Sequence, residues 1–375
     1  MHIYRRGDRG PAVAEIRARL DALGLLPAVD DNTADAVYDE SCDHAVRGFQ
    51  QQRGLSVDGM VGPETYRALD EARWSLGDRV LYQHVGRPYV GDDVMALQAR
   101  LQDFGFDVGR CDGIFGRRTD AALREFQRSV GLPADGTLGP TSLRALAQLQ
   151  RAVVGGAPGR LREHEELFRA GVSLQGKLVI VDPAHGGPDR GWVDHNLAEA
   201  DVVFDLATRL EGRLAAAGAF AFLTRNETGN PSEEERATFA NAADADLLVS
   251  LHVDGALSAR CEGVATYYFG SSPERSSAVG ERLAELVQRE LVAHTDLLDD
   301  RTHRKTWELL RLTRMPTVRV ELGYLTNRHD ARRLAQAEFR DTVADALLGA
   351  IQRLYLPPEQ DPGTGQLRLP QLQPA

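Results

Sequence analysis

The chain has 375 residues, of which 42% are hydrophobic and 26% charged, and its formal net charge is −11. This length exceeds one ordinary core and predicts two or three domains, and the composition is that of a soluble globular protein rather than a disordered one. The acidic charge and the scattered basic residues argue against a nucleic-acid partner, and no apolar run is long enough for a transmembrane segment.

The N-terminal part of the chain contains an internal repeat. The segments FQQQRGLSVDGMVGPETYRAL from Phe49 and FQRSVGLPADGTLGPTSLRAL from Phe126 share Phe-Gln, Gly-Leu, Asp-Gly, Gly-Pro and Arg-Ala-Leu at one constant offset. Upstream, IRARLDALGLL matches LQARLQDFGFD, and apolar residues in both segments follow helical spacing. The Asp-Gly pairs indicate turns, and the Gly-Pro pairs indicate helix starts. We therefore predict two small all-α three-helix modules, at residues 5–72 and 86–150.

The repeat resembles the peptidoglycan-binding domain 1 family, a three-helix module found beside wall hydrolases. The second copy matches that family best, because the sequence DGIFG at 112–116 precedes its middle helix. The first copy has YDES at 38–41 in the corresponding place and lacks this signature. The resemblance implies binding of peptidoglycan or muropeptides and leaves glycan binding by the first module open. Helical spacing alone is equally compatible with two structural bundles that bind nothing.

The rest of the chain alternates strand-like and helix-like segments. Glycine and proline indicate a linker at 151–176. The alternation then predicts an α/β domain at 177–356, with a twisted, mostly parallel sheet and helices on both faces. Its strands are predicted at KLVIVDP, FAFLTR, DLLVSLH, GVATYYFG and PTVRVELGYLT, and its helices at ADVVFDLATRLEGRLAAAG, EEERATFANAADA, SAVGERLAELVQRELVAHT and DTVADALLGAIQRLYL. The final segment, 357–375, is rich in Pro, Gln and Gly and is predicted to be a disordered tail.

Side chains that can bind a metal ion lie at the ends of these elements. His185 follows the first strand, His252 ends the strand DLLVSLH, Glu199 begins the first helix, and Glu321 lies on the last strand. Open α/β sheets place their sites at the carboxyl ends of strands, so we expect these side chains to converge. Two imidazoles and one carboxylate are a ligand set of catalytic zinc, and a further carboxylate can move protons during hydrolysis.

Residues 177–356 resemble the N-acetylmuramoyl-L-alanine amidase family 3 domain. The motifs that carry the resemblance are DPAHGG at 182–187, SLH at 250–252 and PTVRVELGYLTN at 316–327. The resemblance implies that the ligands of a Zn²⁺ ion are His185, Glu199 and His252. It implies that Glu321 is the catalytic base and acid. It places at the substrate Asp189, Arg225 and Asn241. Asp254 departs from the family pattern and adds negative charge after the second histidine.

The function implied by the resemblance is zinc-dependent hydrolysis of the amide between N-acetylmuramic acid and L-alanine in the bacterial cell wall. The N-terminus has no apolar run of signal-peptide length, and three widely spaced cysteines form no disulfide framework. These features predict a cytoplasmic location, or the cell wall if another export route exists. They favour an alternative, because some actinobacterial proteins with this module order are non-catalytic cytoplasmic regulators that bind wall-precursor synthesis enzymes. A lysin released through a holin is a third possibility.

Overall fold

The computed structural model describes residues 2–26, 36–148, 158–256, 258–272, 275–357 and 360–365. The chain divides into two compact units, Met1–Leu161 with Ser271–Arg275, and Arg162–Gly270 with Ser276–Ala375. No helix within the described ranges is both long enough and apolar enough to cross a membrane.

Within the described residues of the first unit, six helices form the two modules. Their bounds are α1 Pro11–Ala22, α2 Glu40–Arg53, α3 Pro63–Ala72, α4 Asp92–Asp103, α5 Arg117–Ser129 and α6 Pro140–Gln148. Proline lies in the first turn of α1 and α3, where its missing N–H costs no hydrogen bond. Each module has its own hydrophobic core, and equivalent repeat positions fill both. Ile16 and Phe49 are buried in the first module, as Leu97 and Phe126 are in the second.

Three turns in the modules are each closed by a glutamine side chain, and we call them the glutamine-closed turns. Gln98 Nε2 donates to Asp112 Oδ1 at 2.8 Å, and Gln98 Oε1 accepts from the backbone N–H of Gly113 at 2.8 Å. Matching bonds join Gln50 and Gln127 to the Asp-Gly pair that follows each of them. The Asp-Gly pairs that mark the repeat therefore serve to close turns inside the modules.

The first module has an arginine where the second has Gln98. Arg17 is buried, and its Nη1 donates to the backbone carbonyl of Val37 at 3.0 Å and lies 3.0 Å from Asp39 Oδ1. At this position no glutamine is present to close an Asp-Gly turn, so the first module needs no Asp-Gly pair before its middle helix. The exchange of glutamine for arginine gives a structural reason why the first module lacks the signature that DGIFG forms in the second.

The second unit contains a six-stranded sheet and a separate two-stranded hairpin. The strands are β1 Leu178–Pro183, β2 Val193–Asp194, β3 Leu197–Ala198, β4 Phe220–Leu223, β5 Leu247–Asp254, β6 Val264–Phe269, β7 Asp299–Lys305 and β8 Thr317–Tyr324. The sheet has the order β4-β1-β5-β8-β6-β7, and β2 pairs with β3. Neighbouring strands of the sheet are parallel except for β6 and β8.

Helices cover both faces of the sheet. Their bounds are α8 Glu199–Ala216, α9 Glu233–Ala242, α10 Ala278–His294, α11 Glu308–Leu312, α12 Arg328–Leu334 and α13 Ala337–Tyr355, and α7 precedes them at Pro158–Arg169. Val179 and Val181 of β1 enter a core with α8, α10 and α13, whereas Ile180 enters a core with α9 and α11. This alternation is typical of a strand that is buried on both faces. The predicted fold class is confirmed.

Helix α7 lies within the predicted linker and contains its charged segment REHEELF, and residues 151–157 of the linker are outside the described ranges. Residues 360–365 of the predicted tail are held by Arg353, which is 3% exposed and donates to Asp361 Oδ1 at 2.7 Å and to the Pro362 carbonyl at 2.9 Å. A buried guanidinium requires such acceptors, so Arg353 and these residues of the predicted tail are joined by fixed contacts. The end of the tail, 366–375, is outside the described ranges.

Candidate metal centre

A tight loop after β1 carries His185 to the carboxyl edge of the sheet. His185 has a positive φ of 55°, and Gly186 follows it with a φ of 129°. A Cβ atom at Gly186 would overlap the carbonyl oxygen of Gly229 and lie 2.8 Å from Arg225 Cδ. Positive φ is uncommon outside glycine, so the loop geometry must be imposed by its surroundings.

Those surroundings are a buried polar network beneath the loop. Arg236 Nη1 lies 2.6 Å from Asp182 Oδ1, and Arg236 Nη2 donates to the carbonyl of His185 at 2.9 Å. Ser250 Oγ donates to the other Asp182 oxygen at 2.6 Å. Burial raises the pKa of Asp182, but the Arg236 charge and these hydrogen bonds outweigh it and hold the pKa below its usual value. The loop is therefore fixed by an ionised carboxylate and its donors.

The three predicted metal ligands converge at this edge. Glu199 begins α8, and its Oε2 lies 3.2 Å from His185 Nε2. Its Oε1 lies 3.2 Å from Nδ1 of His252, which is on β5. One ligand atom from each residue lies within 4.8 Å of the other two, and Glu199 is only 2% exposed. Two imidazoles and a carboxylate at this spacing could hold one divalent cation.

The charge of the site also suits a cation. Burial lowers the pKa of His185, but hydrogen bonds to the Glu199 and Asp189 carboxylates outweigh it and raise the pKa to about 9. Burial raises the pKa of Glu199, yet the two imidazoles hold that pKa far below its usual range. Glu199 is thus an anion that favours the positively charged form of its histidine neighbour. A bound metal ion would supply that charge in place of protons.

Asp189 orients His185. Its Oδ2 lies 2.8 Å from His185 Nδ1, and its Oδ1 accepts from the backbone N–H of Gly191 at 3.0 Å. A hydrogen bond from Nδ1 to a carboxylate fixes the ring and leaves Nε2 as the free ligand atom. Asp189 was predicted to contact the substrate, and the structure places it behind the first histidine.

Glu321 stands beside the cluster on the neighbouring strand. It pairs in register with His252 across β5 and β8, and its side chain is buried. Arg319, two residues earlier on the same face of β8, donates to Glu321 Oε1 from Nη2 at 2.6 Å and from Nε at 2.8 Å. Both bonds end on Oε1, and Oε2 has no hydrogen-bond partner among the described residues. Arg319 was not predicted, although the two-residue period of a strand could have indicated it.

One pocket of about 290 Å³ contains this arrangement. Its walls contain the three candidate ligands, Glu321 and Arg319, together with apolar and acidic side chains. The lining residues are His185, Gly191, Trp192, Glu199, His252, Val253, Asp254, Arg319 and Glu321. Burial and the nearby Glu321 carboxylate raise the pKa of Asp254. The pocket therefore places a candidate base within a strongly acidic environment that already contains metal-binding groups.

The two other predicted substrate residues lie outside this pocket. Arg225 is 6% exposed, and its guanidinium donates to the backbone carbonyls of Pro183, Ala184 and Ala200 at 2.9 to 3.0 Å. Asn241 Nδ2 donates to the Leu312 carbonyl at 2.8 Å. Their hydrogen bonds are used inside the fold, and substrate contact by either residue stays a prediction.

Comparison with known proteins places this geometry in a family. Residues 179–353 match the family described as N-acetylmuramoyl-L-alanine amidase, and residues 9–69 and 90–146 match a peptidoglycan binding domain family. N-acetylmuramoyl-L-alanine amidase CwlM of Mycobacterium tuberculosis is 48% identical over 378 residues, which cover 98% of this chain and 93% of that protein. The chain belongs to the N-acetylmuramoyl-L-alanine amidase family.

Other relatives of this amidase family match about half of the chain. N-acetylmuramoyl-L-alanine amidase LytC of Bacillus subtilis is 34% identical over 172 residues, which cover 46% of this chain and 34% of that protein. The solved N-acetylmuramoyl-L-alanine amidase AmiC2 of Nostoc punctiforme is 30% identical, covers 47% of this chain and 96% of that chain, and has a TM-score of 0.44. The family assignments confirm the predicted resemblances of both parts of the chain and the predicted enzyme class.

Proposed function

We propose that this chain hydrolyses the amide bond between the lactyl group of N-acetylmuramic acid and the L-alanine of the stem peptide, with zinc as its metal. The observation that carries the proposal is the convergence of His185, Glu199 and His252 beside the unpaired oxygen of Glu321. The family assignment supports the bond that is cleaved.

The donor set fits zinc by its chemistry. Catalytic zinc is commonly held by two histidines and one carboxylate, with a position left for water or substrate. Glu199 is ionised, and Asp189 holds the His185 ring in the orientation that a ligand needs. When bound there, the ion polarises the substrate carbonyl and makes a water molecule more acidic.

Glu321 performs the proton transfers in this proposal. Its Oε2 takes a proton from the attacking water as oxygen adds to the carbonyl carbon. Glu321 then gives that proton to the alanine nitrogen as the C–N bond breaks, which releases a lactyl carboxylic acid and a free amine. Arg319 holds Oε1 throughout, so only Oε2 exchanges protons.

The helical modules, at residues 5–72 and 86–150, act as attachments to peptidoglycan in this proposal. The match to a peptidoglycan binding domain family supports this role. Two weak sites on one chain raise the effective concentration of the enzyme at its polymeric substrate. The glutamine-closed turns use their polar groups internally, so the contacts with glycan must come from other side chains of the modules.

The test of the proposal compares the unaltered chain with Glu321→Gln, which keeps the size of the side chain but cannot accept a proton. Purified peptidoglycan is incubated with zinc-loaded protein, and newly exposed L-alanine amino groups are quantified. We expect release only from the unaltered chain, with equal zinc content and equal melting temperature in both proteins. Equal release from both would remove Glu321 from its role, and no release from either would overturn the proposed activity.

The regulatory alternative makes different predictions from hydrolysis. In that alternative the chain binds wall-precursor synthesis enzymes in the cytoplasm without turnover. Metal analysis and affinity capture from lysate separate the two functions. An empty metal site in zinc-rich medium, together with capture of a precursor-synthesis enzyme, would support the regulator.

A further inference from the structure

Trp192 lies at the rim of the pocket and is bound directly to a candidate metal ligand. Its backbone N–H donates to Glu199 Oε2 at 3.1 Å, and its carbonyl accepts from the N–H of Glu199 at 2.8 Å. The β2–β3 hairpin begins at the next residue, so the chain direction at Trp192 is fixed on both sides. The backbone of Trp192 is therefore held by a candidate metal ligand.

A glycine beneath the indole makes room for it. A Cβ atom at Gly255 would lie 2.5 Å from Cε3 and 2.7 Å from Cγ of Trp192, which is closer than real carbon contacts. Gly255 does not have a positive φ, so its backbone does not itself require glycine. The absent side chain at Gly255 thus lets the indole lie against the end of β5.

The indole is also largely uncovered. Trp192 is 44% exposed, although it lines the pocket, and among the lining residues it is the large apolar side chain that solvent reaches. Aromatic side chains that pack only for stability bury most of their surface, because that burial is the source of their stabilisation. Aromatic side chains are common in the lining of pockets that bind small ligands.

We propose that Trp192 is a substrate-binding residue whose indole contacts the pyranose ring of the N-acetylmuramoyl group. This inference rests on the proposed function. Glu321 must reach the alanine nitrogen, so the peptide leaves on the side of Glu321 and the acyl side lies towards Glu199 and Trp192. A pocket of about 290 Å³ is small for a muramyl peptide, so the sugar extends over the rim. The C–H face of a pyranose is the apolar surface that this substrate offers to an indole.

Binding of two synthetic ligands tests the proposal without turnover. Both carry L-alanyl-D-isoglutamine, which is acylated in one ligand by N-acetylmuramic acid and in the other by D-lactic acid alone. Dissociation constants are measured by calorimetry with zinc-loaded Glu321→Gln protein. We expect the muramyl ligand to bind about tenfold more tightly, the scale of one aromatic contact. Adding Trp192→Ala should abolish that preference and leave binding of the lactyl ligand unchanged.

Gly255→Ala provides a second variant that alters no substrate contact directly. Its Cβ displaces the indole, so it should also weaken the preference for the muramyl ligand. Combined with Trp192→Ala it should cause no further loss, because both changes act on the same contact. Val193→Ala is the matched control, since Val193 follows on the same hairpin, is 59% exposed and does not line the pocket. If Trp192→Ala unfolds the protein, Trp192→Phe and Gly255→Ala carry the test.

The outcomes separate this inference from the proposed function. Equal affinity of the starting protein for both ligands, no measurable affinity for either, or an equal loss for both after Trp192→Ala would overturn the sugar contact. A loss confined to the lactyl ligand would assign Trp192 to the peptide and overturn it as well. The unaltered chain could also fail to cleave peptidoglycan while the preference for the muramyl ligand still depends on Trp192. That result would support the sugar contact and refute the proposed hydrolysis.

Discussion

Arg319 Nη2 lies 2.6 Å from Glu321 Oε1, and Arg319 Nε donates to the same oxygen at 2.8 Å. The guanidinium is itself held in place, since it lies 4.5 Å from the ring centroid of Trp307 and 3.8 Å from Glu233 Oε1. Burial lowers the pKa of Arg319, but the Glu321 and Glu233 carboxylates outweigh it and raise the pKa. Arg319 is therefore a fixed cation that positions the candidate base.

Replacing Arg319 with leucine should lower kcat on the order of tenfold, a part of the ~10²–10⁴ that general acid–base catalysis supplies. KM should change little, because Arg319 contacts the base rather than the substrate. Arg319→Lys should recover part of the loss, since lysine keeps the charge but not the paired donors. Steady-state kinetics measures both constants, and exposed Arg314→Ala, outside the pocket, is the control. A raised KM with unchanged kcat would instead make Arg319 a substrate-binding residue.

Asp189→Ala should weaken zinc binding by about tenfold to a hundredfold, the usual cost of removing a partner that orients a histidine ligand. At saturating zinc, KM should stay close to that of the unaltered chain. Competition with a chelator measures the affinity, and His185→Ala, which removes a proposed ligand, sets the upper limit of the loss. Exposed His329→Ala is the control. Unchanged zinc affinity together with a raised KM would return Asp189 to the substrate role that the family resemblance implies.

Arg353→Met should destabilise the second unit by about 3–5 kcal/mol, because it removes the buried arginine that pairs with the buried carboxylate of Glu290. The same change removes the guanidinium whose hydrogen bonds hold residues 360–365. Protease cleavage of the tail should therefore become faster. Urea denaturation and limited proteolysis measure the two effects. Arg289→Ala, which breaks an exposed pair on the same helix α10, should cost less than about 0.5 kcal/mol. Equal costs for the two variants would contradict the prediction.

Two cysteines should resist thiol reagents in the folded protein. Burial raises the pKa of Cys42 and of Cys111 to about 12, so the reactive thiolate is scarce at pH 8. Cys261 is half-buried and should react first. Peptide mass spectrometry after brief labelling identifies the modified residue, and labelling in urea should modify all three. Labelling of Cys111 as fast as Cys261 in the folded state would contradict this prediction.

The sequence predicted the elements with strong apolar patterns and missed those without them. β1, β5 and β8 are buried runs rich in aliphatic residues, which is why they were recognised. β7 has the sequence DDRTHRK and lies exposed at the sheet edge, so no apolar alternation marks it. The hairpin of β2 and β3 has only two residues in each strand, which is too short for any periodicity.

The part of the candidate site that was predicted is the part whose chemistry follows from residue type alone. Histidine and glutamate at strand and helix ends indicated a metal site, and the structure brings His185, Glu199 and His252 together. The contacts of Asp189 and Arg225 could not be predicted, because a motif gives the position of a residue in the chain but not the atoms that it contacts. The sequence also could not distinguish a packed Trp192 from one at a pocket rim, since that depends on Gly255, which is distant in the chain.

The glutamine-closed turns have a consequence for how such modules can diverge. In each turn one glutamine side-chain amide both donates to and accepts from the Asp-Gly pair, which joins the turn to the helix. The distance between helix and turn therefore depends on this side chain rather than on the apolar interior. Interior positions can then exchange one aliphatic group for another, as Ile16 and Leu97 do, without altering the loop. Arg17 stands where the second module has that amide, and the sequences that follow the first helix differ between the two copies at this point.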